Sequence, residues 1–261
     1  MLIAAIIILI LFIGLFYRYR KKNKSVLKNF PDAFRRILEE KVSFYKVLNV
    51  PKKLSFENKM LDFLARVRIT GIHTKVEEED KVFVAAGAII PVFAFEKWKY
   101  VNLNEVLLYP DAFSEEYELW ERSARPFSGM VGNGPMQNVM ILSQPALRQG
   151  FLNTTDTHNP AIHEFVHLID KTDGEIDGIP EMLLSKQFLV PWIDMMQKKL
   201  QEINEGNSDI NPYAATNRGE FFAVVSEYFF ERPDLLQYNH PELYQLLEKI
   251  FDQDPAKNYA G

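Results

Sequence analysis

The sequence predicts an α+β domain with a small mixed sheet and a mostly helical C-terminal half, preceded by one N-terminal transmembrane helix. Three observations support this prediction. Residues 1–17 are apolar and carry no charge. Helical patterns and β-branched runs stand in separate blocks up to residue 143, which favours α+β over a wound βαβ fold. After residue 160 the chain follows a helical pattern with long connections.

Composition limits the chemistry that the chain can perform. Its 261 residues are 47% hydrophobic, which is enough for one domain with a large core. The absence of cysteine excludes disulfides, thiolate metal sites and cysteine nucleophiles, so any metal must be bound by His, Asp or Glu. Five of the 30 Lys and Arg residues lie between residues 18 and 24, so the rest of the chain has a formal net charge of −10. This acidic body argues against direct binding of nucleic acid.

The first segment, MLIAAIIILILFIGLFY, is typical of a membrane anchor. As a helix it would reach roughly 25 Å, near the lower limit for a span. The cations follow the apolar run, whereas in a secretory signal they would precede it, so we expect an uncleaved anchor with the body on the cytoplasmic side. The expected division is a transmembrane anchor at 1–17, a basic juxtamembrane linker at 18–29, one domain at 30–255 and a tail at 256–261.

The first half of the body mixes helices with short strands. Apolar spacing predicts a helix over residues 31–48, closed by Pro51, and a second helix from Ser55. After Gly71 we expect a strand and then a helix of small residues that Pro91 interrupts. Two further strands are predicted near 101–110 and at 138–143, and four helices are predicted at 160–171, 180–204, 217–231 and 240–252.

The stretch HEFVH, which begins at His163, carries the strongest chemical signal. Asn159 and Pro160 form a good helix start, so the stretch is predicted to be helical. One turn separates His163 from His167, and two imidazoles on one face can bind one zinc ion. Glu164 can then accept a proton from a water on the metal. The alternative is a core helix that contains two hydrogen-bonded histidines.

A catalytic zinc site needs a third protein ligand. The apolar segment 217–233 contains Glu220 and Glu227, which are costly to bury unless they are paired or bound to metal. Because they are seven positions apart, they lie on nearly the same helical face, and spacing does not show which of them is the third ligand. Glu231 is expected at a solvated helix end. Asp170 is a candidate acceptor for the second ring N–H of His163.

The other histidines carry no comparable signal. His158 precedes the helix cap and is expected to lie in a loop. His73 and His240 have no partners in the sequence, so surface or capping roles are expected for them.

The joint presence of AIHEFVHLID, DGEIDGIP and YAATNRGEFFAVVSEYFFERP resembles the Mlc titration factor A family of zinc-dependent peptidases, whose catalytic domain is related to anthrax lethal factor. The resemblance covers most of residues 30–255. It implies a zincin-like fold of the gluzincin type with Zn²⁺ bound by His163, His167 and Glu220. It also implies Glu164 as general base and Tyr213 as the donor to the developing oxyanion. Asp170 and Glu227 then become candidates for support of the ligands.

The expected function is therefore a membrane-tethered zinc metallopeptidase that hydrolyses peptide bonds through a zinc-bound water activated by Glu164. The expected location is the bacterial inner membrane, with a single span, and the expected partners are peptide or protein substrates. An alternative is a regulatory protein that sequesters a transcriptional regulator with little or no peptidase activity, since the partner of the family's namesake is a glucose-responsive repressor. A zinc hydrolase that does not act on peptides is a third alternative.

Overall fold

A four-stranded mixed sheet is flanked by helices. The computed structural model describes residues 29–110, 129–131, 138–153 and 155–259. The strands are β1 (Arg68–Gly71), β2 (Glu105–Tyr109), β3 (Gly129–Val131) and β4 (Val139–Ser143). Their order is β1-β2-β4-β3, with β1, β2 and β4 parallel and β3 antiparallel to β4. This confirms the α+β class and the small mixed sheet.

Helices make up most of the rest of the described chain. They are α1 (Asp32–Lys41), α2 (Ser43–Lys46), α3 (Val50–Arg66), α4 (Glu78–Ile89), α5 (Gln144–Leu152), α6 (Pro160–Asp170), α7 (Leu189–Asn204), α8 (Arg218–Glu231), α9 (Pro233–Asn239), α10 (Pro241–Phe251) and α11 (Pro255–Tyr259). The C-terminal half is mostly helical, as predicted.

Several predicted boundaries were wrong, for local reasons. Val42 is extended, with φ −110° and ψ 98°, and divides the first predicted helix into α1 and α2. The next helix begins at Val50 and not at Ser55, because the Asn49 side chain accepts from the backbone N–H of Lys52 and caps it. Pro51 therefore lies in the first turn of α3, where its missing N–H costs nothing.

Two other elements are also shifted. The strand expected after Gly71 instead ends there as β1, which pairs with β2. The helix predicted from residue 180 begins at Leu189, after a short 3-10 helix at Lys186–Phe188. Pro191 then falls in the first turn of α7, where a proline is tolerated.

The structure corrects the predicted location in the inner membrane. Among the residues described, no helix combines the length and the apolar character that a membrane span requires. The longest, α3, has 17 residues and carries Lys52, Lys59 and Arg66 among other charges. The predicted anchor at 1–17 and most of the linker at 18–29 lie outside the described residues.

One core joins the sheet to the helices. Helix α6 is buried along its whole length and packs between α4 and α8. Burying each large apolar side chain of this core contributes roughly 1.5–3 kcal/mol. The approach of α4 to α6 is closest at Gly87, where a Cβ atom would lie 2.6 Å from the Cβ of Ala161. Only glycine fits there without separating the two helices.

We expect Gly87→Ala to lower the free energy of unfolding by roughly 1–3 kcal/mol, because the added methyl group would overlap with Ala161. Urea unfolding followed by circular dichroism measures this change. In an unobstructed helix the same substitution stabilises by about 0.5–1 kcal/mol. An unchanged or increased stability of the variant would therefore contradict the close packing of α4 on α6.

Candidate metal centre

Helix α6 presents both histidines of the HEFVH stretch from a fixed backbone. The Asn159 side chain accepts from the backbone N–H of Ile162 at 3.2 Å, and Pro160 occupies the first turn, as predicted. The apolar residues between the histidines are buried against the core, with Phe165 and Val166 fully inaccessible. The helix therefore has a core-packing face and a face that carries His163 and His167.

Three donor atoms converge in front of this helix. The Nε2 atoms of His163 and His167 are 3.1 Å apart. Glu220, in the first turn of α8, brings one carboxylate oxygen to 3.0 Å from His163 Nε2 and 3.5 Å from His167 Nε2. No other group of three or more potential metal ligands occurs in the described part of the chain. These residues can hold a metal ion.

The separations fit a shared ion. Ligands held at roughly 2.0–2.1 Å from a tetrahedral ion are about 3.3 Å from one another. The Nδ1 atom of His163 faces a carboxylate and carries the proton, so neutral His163 directs a lone pair from Nε2 into the cluster. The two nitrogens and the carboxylate oxygen can all direct lone pairs at one cation between them. The donor set, with two imidazoles and one carboxylate, suits zinc.

Glu227 supports His163 from behind. Its Oε1 is 2.6 Å from His163 Nδ1, while Oε2 accepts from the backbone N–H of Asn159 at 2.6 Å and is 3.1 Å from His158 Nδ1. Burial raises the pKa of Glu227, but His163 and His158 outweigh burial and hold that pKa below its usual value. The geometry thus separates the two glutamates that sequence spacing left equivalent: Glu220 faces Nε2 and Glu227 faces Nδ1.

Asp170 does not accept from the second ring N–H of His163. Its Oδ2 accepts from the backbone N–H of Gly178 at 2.8 Å and so fixes the loop after α6, while His163 uses Glu227. Burial raises the pKa of Asp170 to about 7. Oδ1 of Asp170 and Nδ1 of His167 are buried without a hydrogen-bond partner among the described residues. Asp170 therefore acts on the loop rather than on His163.

Glu164 lies beside strand β3. A Cβ atom on Gly129 would come within 2.6 Å of the Glu164 Cγ and 2.8 Å of its Oε1, so this position of the strand must be glycine for the carboxylate to fit. Burial raises the pKa of Glu164 above its usual value, although the neighbouring His163 and His167 oppose that effect. The carboxylate is thus buried close to the two histidines and the sheet edge.

Tyr213 approaches from the short 3-10 helix Pro212–Ala215, which precedes α8. The Asn211 side chain accepts from the backbone N–H of Tyr213 at 3.0 Å and fixes the start of this turn. The ring of Tyr213 is 6.2 Å from the His163 ring between centroids, with an angle of 36° between the planes. Tyr213 therefore belongs to the same cluster as the histidines.

Two residues near the site, His158 and Glu231, have contacts that the sequence pattern did not predict. His158 contacts Glu227, although the sequence indicated only a loop histidine. Glu231 accepts from the Asn159 amide at 2.7 Å instead of facing solvent, and burial raises its pKa to about 8. The sequence of α8 contains an indication of these contacts. Glu227 and Glu231 are one turn apart in an apolar helix, so both carboxylates need hydrogen-bond donors from other segments.

The chain is similar to several known proteins. A family model described as glucose-regulated metallo-peptidase M90 matches residues 16–252. An uncharacterized protein of Synechocystis is 30% identical over 240 residues, which cover 87% of this chain and 86% of that protein. Mlc titration factor A is 31% identical over 208 residues in Cronobacter sakazakii, covering 74% of this chain and 76% of that protein. In Pectobacterium atrosepticum it is 31% identical over 180 residues, covering 64% and 65%. These matches confirm the resemblance found in the sequence.

We expect Glu227→Gln to weaken zinc binding roughly 10–100-fold, because the amide cannot accept from His163, His158 and the Asn159 backbone as the carboxylate does. Competition with a chelating dye measures the affinity. Glu231→Gln is the matched control: it lies one turn further along α8, and its amide oxygen can still accept from Asn159. Equal zinc affinities of the two variants would contradict the role of Glu227.

Proposed function

The chain belongs to the glucose-regulated metallo-peptidase M90 family, and we propose that it is a zinc-dependent peptidase in which Glu164 is the general base. The observation that carries this proposal is the convergence of His163, His167 and Glu220, whose donor atoms all lie within 4.8 Å of one another. Glu164 lies on the same helix as the two histidines, and Tyr213 approaches the cluster from the turn before α8.

His163, His167 and Glu220 would hold the zinc ion. Two imidazoles and one glutamate are a set of three protein ligands typical of catalytic rather than structural zinc sites. A bound zinc ion supplies Lewis acidity, which polarises a carbonyl group and makes water a stronger acid at neutral pH. Glu227 keeps the His163 ring in the orientation that directs Nε2 at the site.

Glu164 moves the proton. The oxygen of a water molecule attacks the scissile carbonyl carbon, and the Glu164 carboxylate accepts the proton that this water loses. When the carbon–nitrogen bond breaks, Glu164 gives the proton to the departing amine, so the carboxylate is regenerated. The Tyr213 hydroxyl donates a hydrogen bond to the oxyanion that exists between these two steps. The buried setting of Glu164 keeps other water away from its carboxylate.

Strand β3 is the candidate guide for an extended peptide. Strand β4 cannot take an added strand, because it pairs with β2 on one side and with β3 on the other. In the described part of the chain β3 is the last strand on its side of the sheet. Because Gly129 of β3 lies against Glu164, a peptide added beside β3 would pass close to the base.

We expect Glu164→Gln to lower kcat for peptide cleavage by about 10²–10⁴, because the amide cannot accept the proton of the attacking water. Its zinc content should equal that of the native chain, since Glu164 is not a ligand in this proposal. A fluorescent peptide library, assayed with and without chelator, measures the activity.

Glu96→Gln provides the matched control, because Glu96 is an exposed glutamate outside the metal cluster. It should cleave the library like the native chain. Native activity in Glu164→Gln, or chelator-resistant cleavage, would contradict the proposed mechanism.

A second candidate function is the binding and sequestration of a transcriptional regulator. The name of the relatives, Mlc titration factor A, supports it. The convergence of the three proposed zinc ligands, with Glu164 and Tyr213 beside them, favours peptidase activity over this alternative. The two functions can be separated by experiment.

Under the binding alternative, purified Mlc should bind the native chain and His163→Ala with the same Kd in a calorimetric titration, because the metal ligand would take no part in the contact. The native chain should then cleave no peptide of the library. Peptide cleavage by the native chain that His163→Ala abolishes would contradict binding as the sole function.

A further inference from the structure

Asp209 is the centre of a hydrogen-bond cluster outside the metal site. Its Oδ1 is 2.5 Å from His240 Nε2, and its Oδ2 accepts from the Tyr228 hydroxyl at 2.7 Å and from the Asn239 amide at 2.6 Å. We call these four residues the Asp209 cluster. Its members come from the α7–α8 connection, from α8, and from the end of α9 and the residue that follows it. The cluster therefore joins separate parts of the helical half.

A buried lysine completes the arrangement around His240. The Nζ atom of Lys199, on α7, is 3.0 Å from His240 Nδ1 and 2.7 Å from Glu202. Because an ammonium group only donates, Nδ1 of His240 accepts and Nε2 carries the proton directed at Asp209. The Lys199 side chain is only 10% exposed, and its ammonium group is paired with Glu202 and His240. The cluster is thus fixed in one arrangement.

The chain runs directly from this cluster to Tyr213. Ile210 is 1% exposed and anchors the segment in the core. Asn211 then receives two hydrogen bonds, from the backbone N–H of Tyr213 to its side chain and from that of Ala214 to its backbone oxygen at 2.9 Å. Only three residues lie between Asp209 and Tyr213, and two of them, Ile210 and Asn211, are held by packing or hydrogen bonds. A displacement of Asp209 is therefore transmitted to the phenol.

The same cluster also contacts the helix that supports the metal ligands. Tyr228 follows Glu227 in α8, and its hydroxyl donates to Asp209. Asp209 thus connects the start of the Tyr213 segment to α8, which carries Glu220 and Glu227.

We propose that Asp209 is a positioning residue for Tyr213, holding through His240, Tyr228 and Asn239 the segment that sets the phenol beside His163. The proposal rests on the proposed peptidase function, because Tyr213 is the oxyanion donor there. Loss of the cluster leaves the three metal ligands in place and lets the 209–213 segment move. A donor displaced by about 1 Å can cost roughly 10²-fold in rate.

The test compares Asp209→Ala with the native chain in zinc content, kcat and KM, and in deuterium exchange of the backbone over residues 205–216. We expect zinc content and KM to hold, kcat to fall by about tenfold to a hundredfold, and exchange over 205–216 to accelerate. In a Tyr213→Phe background the same substitution should change kcat by less than about twofold, because the group that it positions is already absent.

Two milder variants test the contributions of single partners of Asp209. His240→Gln should retain most of kcat, because a glutamine amide can donate to Asp209 and accept from Lys199 as the imidazole does. Tyr228→Phe removes one donor and keeps the buried ring, so it replaces Asp209→Ala if that variant does not fold. It should accelerate exchange over 205–216.

Asp254→Asn is the matched control: Asp254 accepts from the Tyr244 hydroxyl at 2.9 Å and does not touch the cluster. It should leave kcat and this exchange unchanged.

An unchanged kcat and unchanged exchange in Asp209→Ala would overturn the inference and leave the peptidase proposal intact. An equal loss of kcat in the Tyr213→Phe background would also overturn it. If the native chain cleaves no peptide, the proposed function fails, and exchange over 205–216 in Asp209→Ala and Asp254→Asn alone decides whether the cluster holds the Tyr213 segment.

Discussion

The hydrogen bond between the buried Glu227 carboxylate and the Nδ1 atom of His163 is the contact on which the site depends. A carboxylate that is 2% exposed is costly unless donors surround it, and Glu227 has His163, His158 and the backbone N–H of Asn159. Through these donors one side chain fixes both the start of α6 and the orientation of its first histidine. Without it the Nε2 atom of His163 would not be held towards Glu220.

Helix packing extends this constraint to the rest of the cluster. Gly87 lets α4 approach α6, and Gly129 lets β3 approach Glu164. Because neither glycine has a side chain, α4 and β3 can pack closely against the helix that carries the site. The third side is the Pro212–Ala215 turn with Tyr213. Segments that are far apart in the sequence thus meet at one point. Each is held there by packing or by a helix cap that does not involve the metal.

The sequence predicted this site better than it predicted the elements around it. Asn159, Pro160 and the i, i+4 histidines predicted α6 and the common face of its two histidines, because caps and helical spacing are local signals. Spacing alone did not choose between Glu220 and Glu227, since residues seven apart share a face, and the family resemblance supplied that choice. Depth separates them physically: Glu220 lies in the first turn of α8 and Glu227 two turns further into the core. The roles of His158 and Asp209 depend on contacts between distant segments, which no local pattern records.

Short elements were the hardest to predict. Strand β3 has three residues and β1 has four, too few for a periodicity to emerge. The sequence does not predict the start of α3 at Val50, because Pro51 fits a helix end as well as the first turn of a helix.

The most direct test of the central claim is X-ray absorption at the zinc edge on the purified, zinc-loaded chain. The account predicts one zinc ion per chain, with two imidazole nitrogens and carboxylate or water oxygens at about 2.0–2.2 Å. It also predicts that the imidazole signal decreases in His163→Ala. A zinc ion bound by oxygens alone, or a spectrum that His163→Ala leaves unchanged, would contradict a metal centre formed by His163, His167 and Glu220.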